Sequence, residues 1–431
     1  MKFFGSSGIR GIVNRKITPE LALKVGKAVG AGRDSVIIGR DTRPSGMMIA
    51  SALKSGLTAV GADVVDVGVV STPTLAFMGK DHDCGVMITA SHNPAPYNGI
   101  KLWNPDGSAF DTEQMLETEA KISDEPPLPE WNEVGKISRE HNAVEKHIEH
   151  IIDKVGTGHG LKVAVDCANG PAYHTTPSLL RKMGCQVVTL NCNPDGTFPA
   201  HDPEPTKENF ADLGKLVVNT GADLGIAHDG DADRMVAFDR EGNYLGGDTL
   251  LAMFARKFSD SIVVPVNSSM IIDEMVKKVI RTRVGDVYVA EELKNHGAQF
   301  GGEPSGTWIF PEMSYAPDAI YAAAFITLMC QEEDLADLRR ELPSYPSKGA
   351  AFTVENNKEV MGSLIELCRE CYPEEKLNFI DGIRIDHGDG WTLTRASGTE
   401  PKIRITVEAK EQSTLEELYN EAKVKLEEAM R

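Results

Sequence analysis

Three aspartates at alternating positions, Asp229, Asp231 and Asp233, give the densest chemical signal in this 431-residue sequence. Carboxylates at i, i+2 and i+4 converge on one hard cation only if the backbone is a loop, and Gly230 and Ala232 permit the curvature. Packed like charges cost energy unless a cation offsets them, so the cluster reads as a metal site. It is not an EF-hand, which needs Gly at position six and an acid at position twelve; Arg234 and Arg240 stand there.

Three further loops carry hydroxyls, glycines and isolated charges. Thr89-Ala90-Ser91-His92-Asn93-Pro94 follows a strand-like run and sets the Ser91 hydroxyl, with His92 beside it, where α/β sheets place ligands. Asn98-Gly99-Ile100-Lys101 then adds a tight turn and a cation; a polar turn capped by Ser91 is the plain alternative. In Gly301–Gly306, Glu303 and Ser305 can face one side of an extended loop and bond vicinal sugar hydroxyls, against a simple glycine turn. Between Arg395 and Arg404 lie Ser397, Gly398 and Thr399 with the cations Arg395, Lys402 and Arg404. That set suits a phosphate cradle, or else a charged hairpin. It lacks the GxxxxGK[ST] form of a nucleotide loop. Gly5–Gly11 adds a glycine-rich loop with one cation, Arg10. For the aspartate loop, a rival remains: a phosphatase of the haloacid-dehalogenase type, with Asp229 of a D-x-D as nucleophile.

The elements that must hold these loops alternate strand and helix. Ser35–Gly39, Val64–Val70 and Gly85–Thr89 read as buried strands, with helices over Pro19–Gly30 (N-cap Thr18) and Gly46–Val60. Lys162–Asp166, Gln186–Leu190 and Leu224–Ala227 form a second round, with a helix over Thr176–Met183. A third has strands at Ile262–Val266 and Val287–Ala290 and a helix near Ile271–Arg281. The pattern implies largely parallel α/β sheets. The tail differs: strands at Ile383–Asp386, Trp391–Arg395 and Ile403–Glu408 and a final helix near Ser413–Met430 make an α+β module. Ser123–Pro129 and Pro343–Ser347 read as connectors.

Composition limits the partners. Lys and Arg total 45 against 64 Asp and Glu, a net charge of −19. That argues against general binding to nucleic acid or anionic membranes, and concentrates anion binding on a few local cations. No run approaches a membrane span and nothing marks a signal peptide. Seven scattered cysteines fit reduced thiols, so a cytoplasmic location is expected. Cys368-Arg-Glu-Cys371 is the lone CxxC; with no second pair nearby it reads as two ordinary helix cysteines.

FGSSGIRG, TASHNP with NGIK, DGDADR, GEPSG and RASGTEPKIR, in that order, resemble the α-D-phosphohexomutase superfamily from end to end. The start, GGEPSG and SGTEPKIR look most like its archaeal-type phosphoglucosamine mutases, with phosphomannomutase/phosphoglucomutase as the near alternative. A metal-dependent sugar-phosphate phosphatase or binding protein is the alternative from another class. The resemblance implies three α/β domains (1–152, 153–244, 245–346) and a smaller C-terminal α+β domain (347–431) around a central cleft. It implies an isomerase moving a phosphate between O6 and O1 of a hexosamine through phosphorylated Ser91 and a hexose or glucosamine 1,6-bisphosphate. Mg²⁺ would bind Asp229, Asp231, Asp233 and the Ser91 phosphate. Glu303 and Ser305 would hold sugar hydroxyls, and Arg395, Ser397, Gly398 and Thr399, with Lys402 and Arg404 nearby, the idle phosphate. Lys101, Arg10 and Arg234 would position the moving phosphoryl group or protons. The chain departs from many bacterial members at Thr307-Trp308, where they carry a His after the sugar loop; His92 is the nearest replacement. The partner is a phosphosugar, and the oligomeric state is unknown.

Overall fold

The computed structural model describes residues 3–5, 8–258, 260–397 and 401–431. It divides into two compact units, Met1–Leu250 with Ser305–Arg339, and Leu251–Pro304 with Arg340–Arg431.

The first unit holds two sheets. β1 (Ile9–Ile12), β2 (Ser35–Arg40), β3 (Asp63–Val69), β4 (Cys84–Ile88), β5 (Tyr97–Trp103) and β6 (Ile137–Arg139) assemble in the order β1-β5-β4-β2-β3-β6. β2 is parallel to β3 and β4, as expected of apolar runs joined by helices. Thr18 caps the helix Pro19–Gly30, accepting from Leu21 N, with Pro19 pre-set for its first turn. Asn98-Gly99 does not form the expected tight turn. It lies within β5, which runs antiparallel to both β4 and β1 and pairs Gly99 with Arg10. The apolar residues Ile100 and Leu102 are buried, so extended pairing satisfies both the backbone and the core. The loop carrying Ser91 therefore joins two antiparallel strands, and Lys101 sits opposite Met87 near its base.

β7 (Lys162–Asp166), β8 (Gln186–Leu190), β9 (Leu224–His228), β10 (Met235–Asp239) and β11 (Tyr244–Leu245) form the second sheet, ordered β11-β10-β9-β7-β8. β7 is parallel to β8 and β9, whereas β10 turns back antiparallel on β9 with Met235 opposite His228. Asp229–Arg234 is the connection across that pair. The strand β15 (Thr307–Ile309) belongs to this unit, and Thr307 bridges Arg234.

In the second unit β12 (Ser261–Pro265) is parallel to β13 (Lys278–Thr282) and to β14 (Gly301–Glu303). Two sequence expectations change here. The helix expected over Ile271–Arg281 stops at Met275, and the β-branched Val279, Ile280 and Thr282 enter β13. Val287–Ala290 lies inside a helix, Asp286–His296, whose buried face is Val289, Ala290 and Leu293. The tail sheet is antiparallel, ordered β16-β20-β19-β18-β17: β16 (Ser347–Thr353), β17 (Leu377–Asn378), β18 (Ile383–Asp386), β19 (Gly390–Ala396), β20 (Lys402–Ala409). Helices Asn357–Cys371 and Gln412–Ala429 pack their apolar faces into its core. Cys368 and Cys371 end the first of these helices, as ordinary helix residues. Among the described residues no helix is long and apolar enough to cross a membrane.

Candidate active site

Ser91 is nearly fully buried and holds φ of 50°, a left-handed backbone that non-glycine residues rarely adopt. A relay of contacts explains how it is kept there. Its N–H donates to Thr89 Oγ1 at 2.9 Å, and Thr89 Oγ1 donates to Asp41 Oδ2 at 2.7 Å. Asp41 is paired with Arg43 at 2.9 Å, both side chains fully buried. The Arg43 guanidinium then donates to three carbonyls of the same loop and to the first of β5: Ser91 (2.7 Å), Asn93 (2.6 Å), Pro94 (2.8 Å) and Tyr97 (2.9 Å). The fork of donors on one rigid plane suits this task in a way that a lysine would not. Asp41 and Arg43 were not singled out in the sequence, because their work is on backbone atoms distant in the chain.

The loop Asp229–Arg234 lies directly against it. Ser91 Oγ is 2.8 Å from Asp229 Oδ2. A Cβ on Gly230 would come within 2.5 Å of the Ser91 carbonyl, so only glycine permits this approach. Ala232, like Ser91, has positive φ (58°). The three aspartates are buried, and each offers an oxygen within 4.8 Å of the others. Among the described residues they form the one such cluster of His, Cys, Asp or Glu. Asp231 Oδ1 is buried without a hydrogen-bond partner. An orphaned carboxylate oxygen within an all-oxygen, anionic donor set fits a hard divalent cation.

Protein cations already offset part of this charge. Lys101 Nζ lies 3.0 Å from Asp231 Oδ2 and 2.6 Å from Asp233 Oδ2. Burial opposes the charge on Lys101, but Asp231 and Asp233 outweigh it and raise its pKa; it is a fixed ammonium, not a base. Burial likewise opposes ionisation of Asp231, yet Lys101, the Thr72 hydroxyl (2.7 Å) and Arg10 hold it below the usual range. Burial, then Asp233 and Asp231, push Asp229 well above that range.

His92, Arg10 and Arg234 ring the serine. His92 Nδ1 is 3.3 Å from Ser91 Oγ, and its Nε2 is 3.3 Å from Glu204 Oε2. Burial, then Arg234, Arg10 and Lys101, push His92 down to about 2, so the ring is neutral. Glu204 also accepts from Arg234 Nη1 at 3.1 Å, and Arg10 Nη1 donates to Asn93 Oδ1 at 2.8 Å. Glu204 and Thr72 were missed in the sequence; the only signal was the Pro203-Glu204-Pro205 run, an unremarked loop.

Ser305 belongs to the same unit. Met235 N donates to the Gly306 carbonyl at 2.9 Å, and Ser305 Oγ lies 3.2 Å from Thr307 Oγ1, placing this loop beside Arg234. At the departure noted in the sequence, Trp308 is fully buried and donates from Nε1 to the Met235 carbonyl at 2.8 Å. It anchors the loop rather than offering a titratable group.

The other sequence candidates fall in the second unit. Glu303 is buried and its Oε1 accepts from Gly285 N at 2.8 Å. Arg395 and Arg404 are direct cross-strand partners, an arrangement of like charges that is unfavourable without an anion. Asp381 Oδ2 supplies part of that, 3.4 Å from Arg395 Nη1, and also accepts from Val284 N at 3.2 Å. Val284 and Gly285 thereby tie Glu303 to Arg395. Ser397 N donates to the Lys402 carbonyl at 2.8 Å, closing the hairpin base. Gly398 and Thr399 lie outside the described residues.

An α/β scaffold with a strained serine over a metal-fitting aspartate loop defines the class, and the comparisons agree that it is a family of mutases. The phosphoglucomutase/phosphomannomutase models match in order: alpha/beta/alpha domain I over residues 1–127, domain II over 145–242, domain III over 246–345 and the C-terminal domain over 346–423. The chain belongs to this family, the phosphohexomutase isomerases. A "Probable phosphoglucosamine mutase" of Methanosarcina acetivorans is 50% identical over 439 residues, covering 100% of both chains. The crystal structure of a phosphoglucomutase/phosphomannomutase family protein from Burkholderia thailandensis superposes with a TM-score of 0.88. It is 27% identical and covers 98% of this chain and 96% of that one. An Aspergillus fumigatus N-acetylphosphoglucosamine mutase, solved with GlcNAc-6P and magnesium, has a TM-score of 0.61 at 16% identity, covering 100% and 96%; this likeness is one of fold.

Proposed function

We propose that the protein interconverts glucosamine 6-phosphate and glucosamine 1-phosphate in the cytoplasm, using Ser91 as the phosphoryl carrier. The observation that carries this reading is the Ser91 hydroxyl held in strained backbone 2.8 Å from Asp229, inside the aspartate cluster. The names of full-length archaeal relatives support the sugar. We divide the chain at residues 1–152, 153–244, 245–346 and 347–431.

Phosphorylated Ser91 gives its phosphoryl group to the free hydroxyl of the sugar phosphate. The P–O bond to Ser91 breaks, the proton of the sugar hydroxyl ends on the freed Ser91 oxygen, and a 1,6-bisphosphate forms. That intermediate turns over, and its other phosphate returns to Ser91. Asp229, Asp231 and Asp233, with the Ser91 phosphate, would hold Mg²⁺, which when bound offsets charge on the moving group. Lys101, fixed between two aspartates, and Arg10, fixed through Asn93, add positive charge at the same point. The neutral His92 ring, 3.3 Å from Ser91 Oγ, orients that oxygen, and the burial and cations that keep the ring neutral stop it from storing a proton. Glu303 and Ser305 bind sugar hydroxyls. Arg395, Ser397, Gly398 and Thr399, aided by Lys402 and Arg404, grip the phosphate that is not reacting, while Arg234, held by Glu204 beside His92, positions the moving phosphoryl group.

The test compares kcat/KM for the 6-phosphates of glucosamine, glucose and mannose in the presence of the matching 1,6-bisphosphate. The glucosamine substrate should lead. Preference for mannose or glucose phosphate would move the assignment within the family. Net release of inorganic phosphate would make it a phosphatase, and saturable binding without 1-to-6 exchange would make it a binding protein.

A further inference from the structure

Beneath the aspartate loop, two thiols that the mutase chemistry does not use lie in contact. Cys167 follows β7 and Cys192 follows the adjacent β8; their Sγ atoms are 3.1 Å apart, closer than unbonded sulfurs normally approach. Left-handed backbone brings them together: Ala168 (φ 45°) and Asn169 (φ 54°) curl one loop, Asn191 (φ 49°) the other. Asparagine tolerates this region, whereas Ala168 is costly there, so the turn at Cys167 is held against its own preference. Cys167 is fully buried, and Cys192 is partly exposed.

We propose that Cys167 and Cys192 form a reversible disulfide that switches the mutase site off under oxidation by a peroxide. The Cys192 sulfur, being the accessible one, attacks a peroxide oxygen; the O–O bond breaks, and with hydrogen peroxide one water leaves. Cys192 becomes a sulfenic acid. Cys167 Sγ then attacks the Cys192 sulfur, the S–O bond breaks and a second water leaves. Two thiols and one hydrogen peroxide give one disulfide and two waters; the sulfurs lose two electrons and the peroxide gains them. Burial, then the neighbouring Cys192 thiol, push Cys167 up, so it is not the sulfur that reacts first; its contact with Cys192 at 3.1 Å, rather than its acidity, brings it to the resolving step. A dithiol reverses the bond by exchange.

The coupling to the site runs through packed backbone. The Asn169 carbonyl accepts from Thr42 Oγ1 at 3.1 Å, next to Arg43. The Phe198 ring, at the far end of the Cys192 loop, lies 4.9 Å from the Arg43 guanidinium that pins the Ser91 loop. A Cβ on Gly170 would stand 3.0 Å from the Gly230 carbonyl, so the Cys167 loop has no slack beneath the aspartates. Bonding draws the sulfurs together by about 1 Å, and a misplacement of that size at a reacting centre can cost about a hundredfold in rate.

The experiment treats the full-length protein with hydrogen peroxide and maps peptides by mass without reduction, alongside mutase turnover. A Cys167–Cys192 linked peptide, a fall in turnover of about a hundredfold, and recovery with dithiothreitol are expected. Cys192→Ser and Cys192→Ala should keep basal turnover and lose most of the sensitivity, whereas Cys371→Ser, which removes an exposed thiol, should stay sensitive. Oxidation of Cys371 without the linked peptide would overturn the proposal, as would a linked peptide with unchanged turnover, or equal inactivation of the Cys192 variants. The linked peptide is read by mass, so it holds or fails independently of which sugar phosphate the enzyme takes.

Discussion

Glu204 Oε2 lies 3.3 Å from His92 Nε2 while its other oxygen accepts from Arg234 at 3.1 Å, so one carboxylate orients both an imidazole and a guanidinium beside Ser91. Orienting residues act on rate through geometry. Glu204→Gln should therefore lower kcat by about tenfold to a hundredfold with little change in KM or thermal midpoint. A parallel loss of folding stability would make Glu204 a structural residue instead.

Arg43 makes the opposite kind of contribution. Removing it leaves Asp41 buried without its partner and four carbonyls without a donor. Arg43→Met should cost about 3–5 kcal/mol in urea unfolding. The double variant with Asp41→Asn should recover part of that loss, because the stranded charge is gone.

The aspartate cluster gives a metal-dependent prediction. Mg²⁺ at about a hundred times its Kd should stabilise the protein by about 2.7 kcal/mol, read as a shift in unfolding midpoint. Asp229→Asn with Asp233→Asn should abolish the shift. Lys101→Met leaves Asp231 and Asp233 without their ammonium, so it should lower kcat by about 10²–10³. Its stability should also depend more strongly on Mg²⁺ than that of the unaltered protein.

His201 sets a pH dependence of folding. Burial lowers its pKa, but the bond from Nε2 to Asp166 Oδ2 and the contact with the Asp202 carbonyl outweigh burial and raise it above 6.5. The folded state therefore binds the proton more tightly. That stability is fully present below the unfolded value of 6.5 and is lost as pH rises through the higher folded value. Urea midpoints should fall across that window, and His201→Gln should flatten the slope.

The sequence conveyed the chemistry of this molecule better than its supports. Loops whose glycines, hydroxyls and charges cluster within six or so residues stood out, because local spacing alone limits what they can do. Strands such as β2, β4, β7 and β9 were equally plain, being apolar runs between turn residues. Arg43, Thr72 and Glu204 did not stand out. Their partners are far away in sequence, and no local pattern marks a side chain whose targets are carbonyls or another loop's carboxylate. β5 was hidden for a related reason: Asn-Gly reads as a turn locally, yet pairing with β1 and β4 overrides it. The same override converted the end of the expected helix near Ile271–Arg281 into β13.

Whether Ser91 carries the phosphoryl group is read most directly by mapping where phosphate resides after incubation with the 1,6-bisphosphate and Mg²⁺. An acid-stable phosphate on Ser91, absent from Ser91→Ala together with mutase turnover, is the predicted result. An acid-labile acyl phosphate on Asp229, or full turnover by Ser91→Ala, would contradict it.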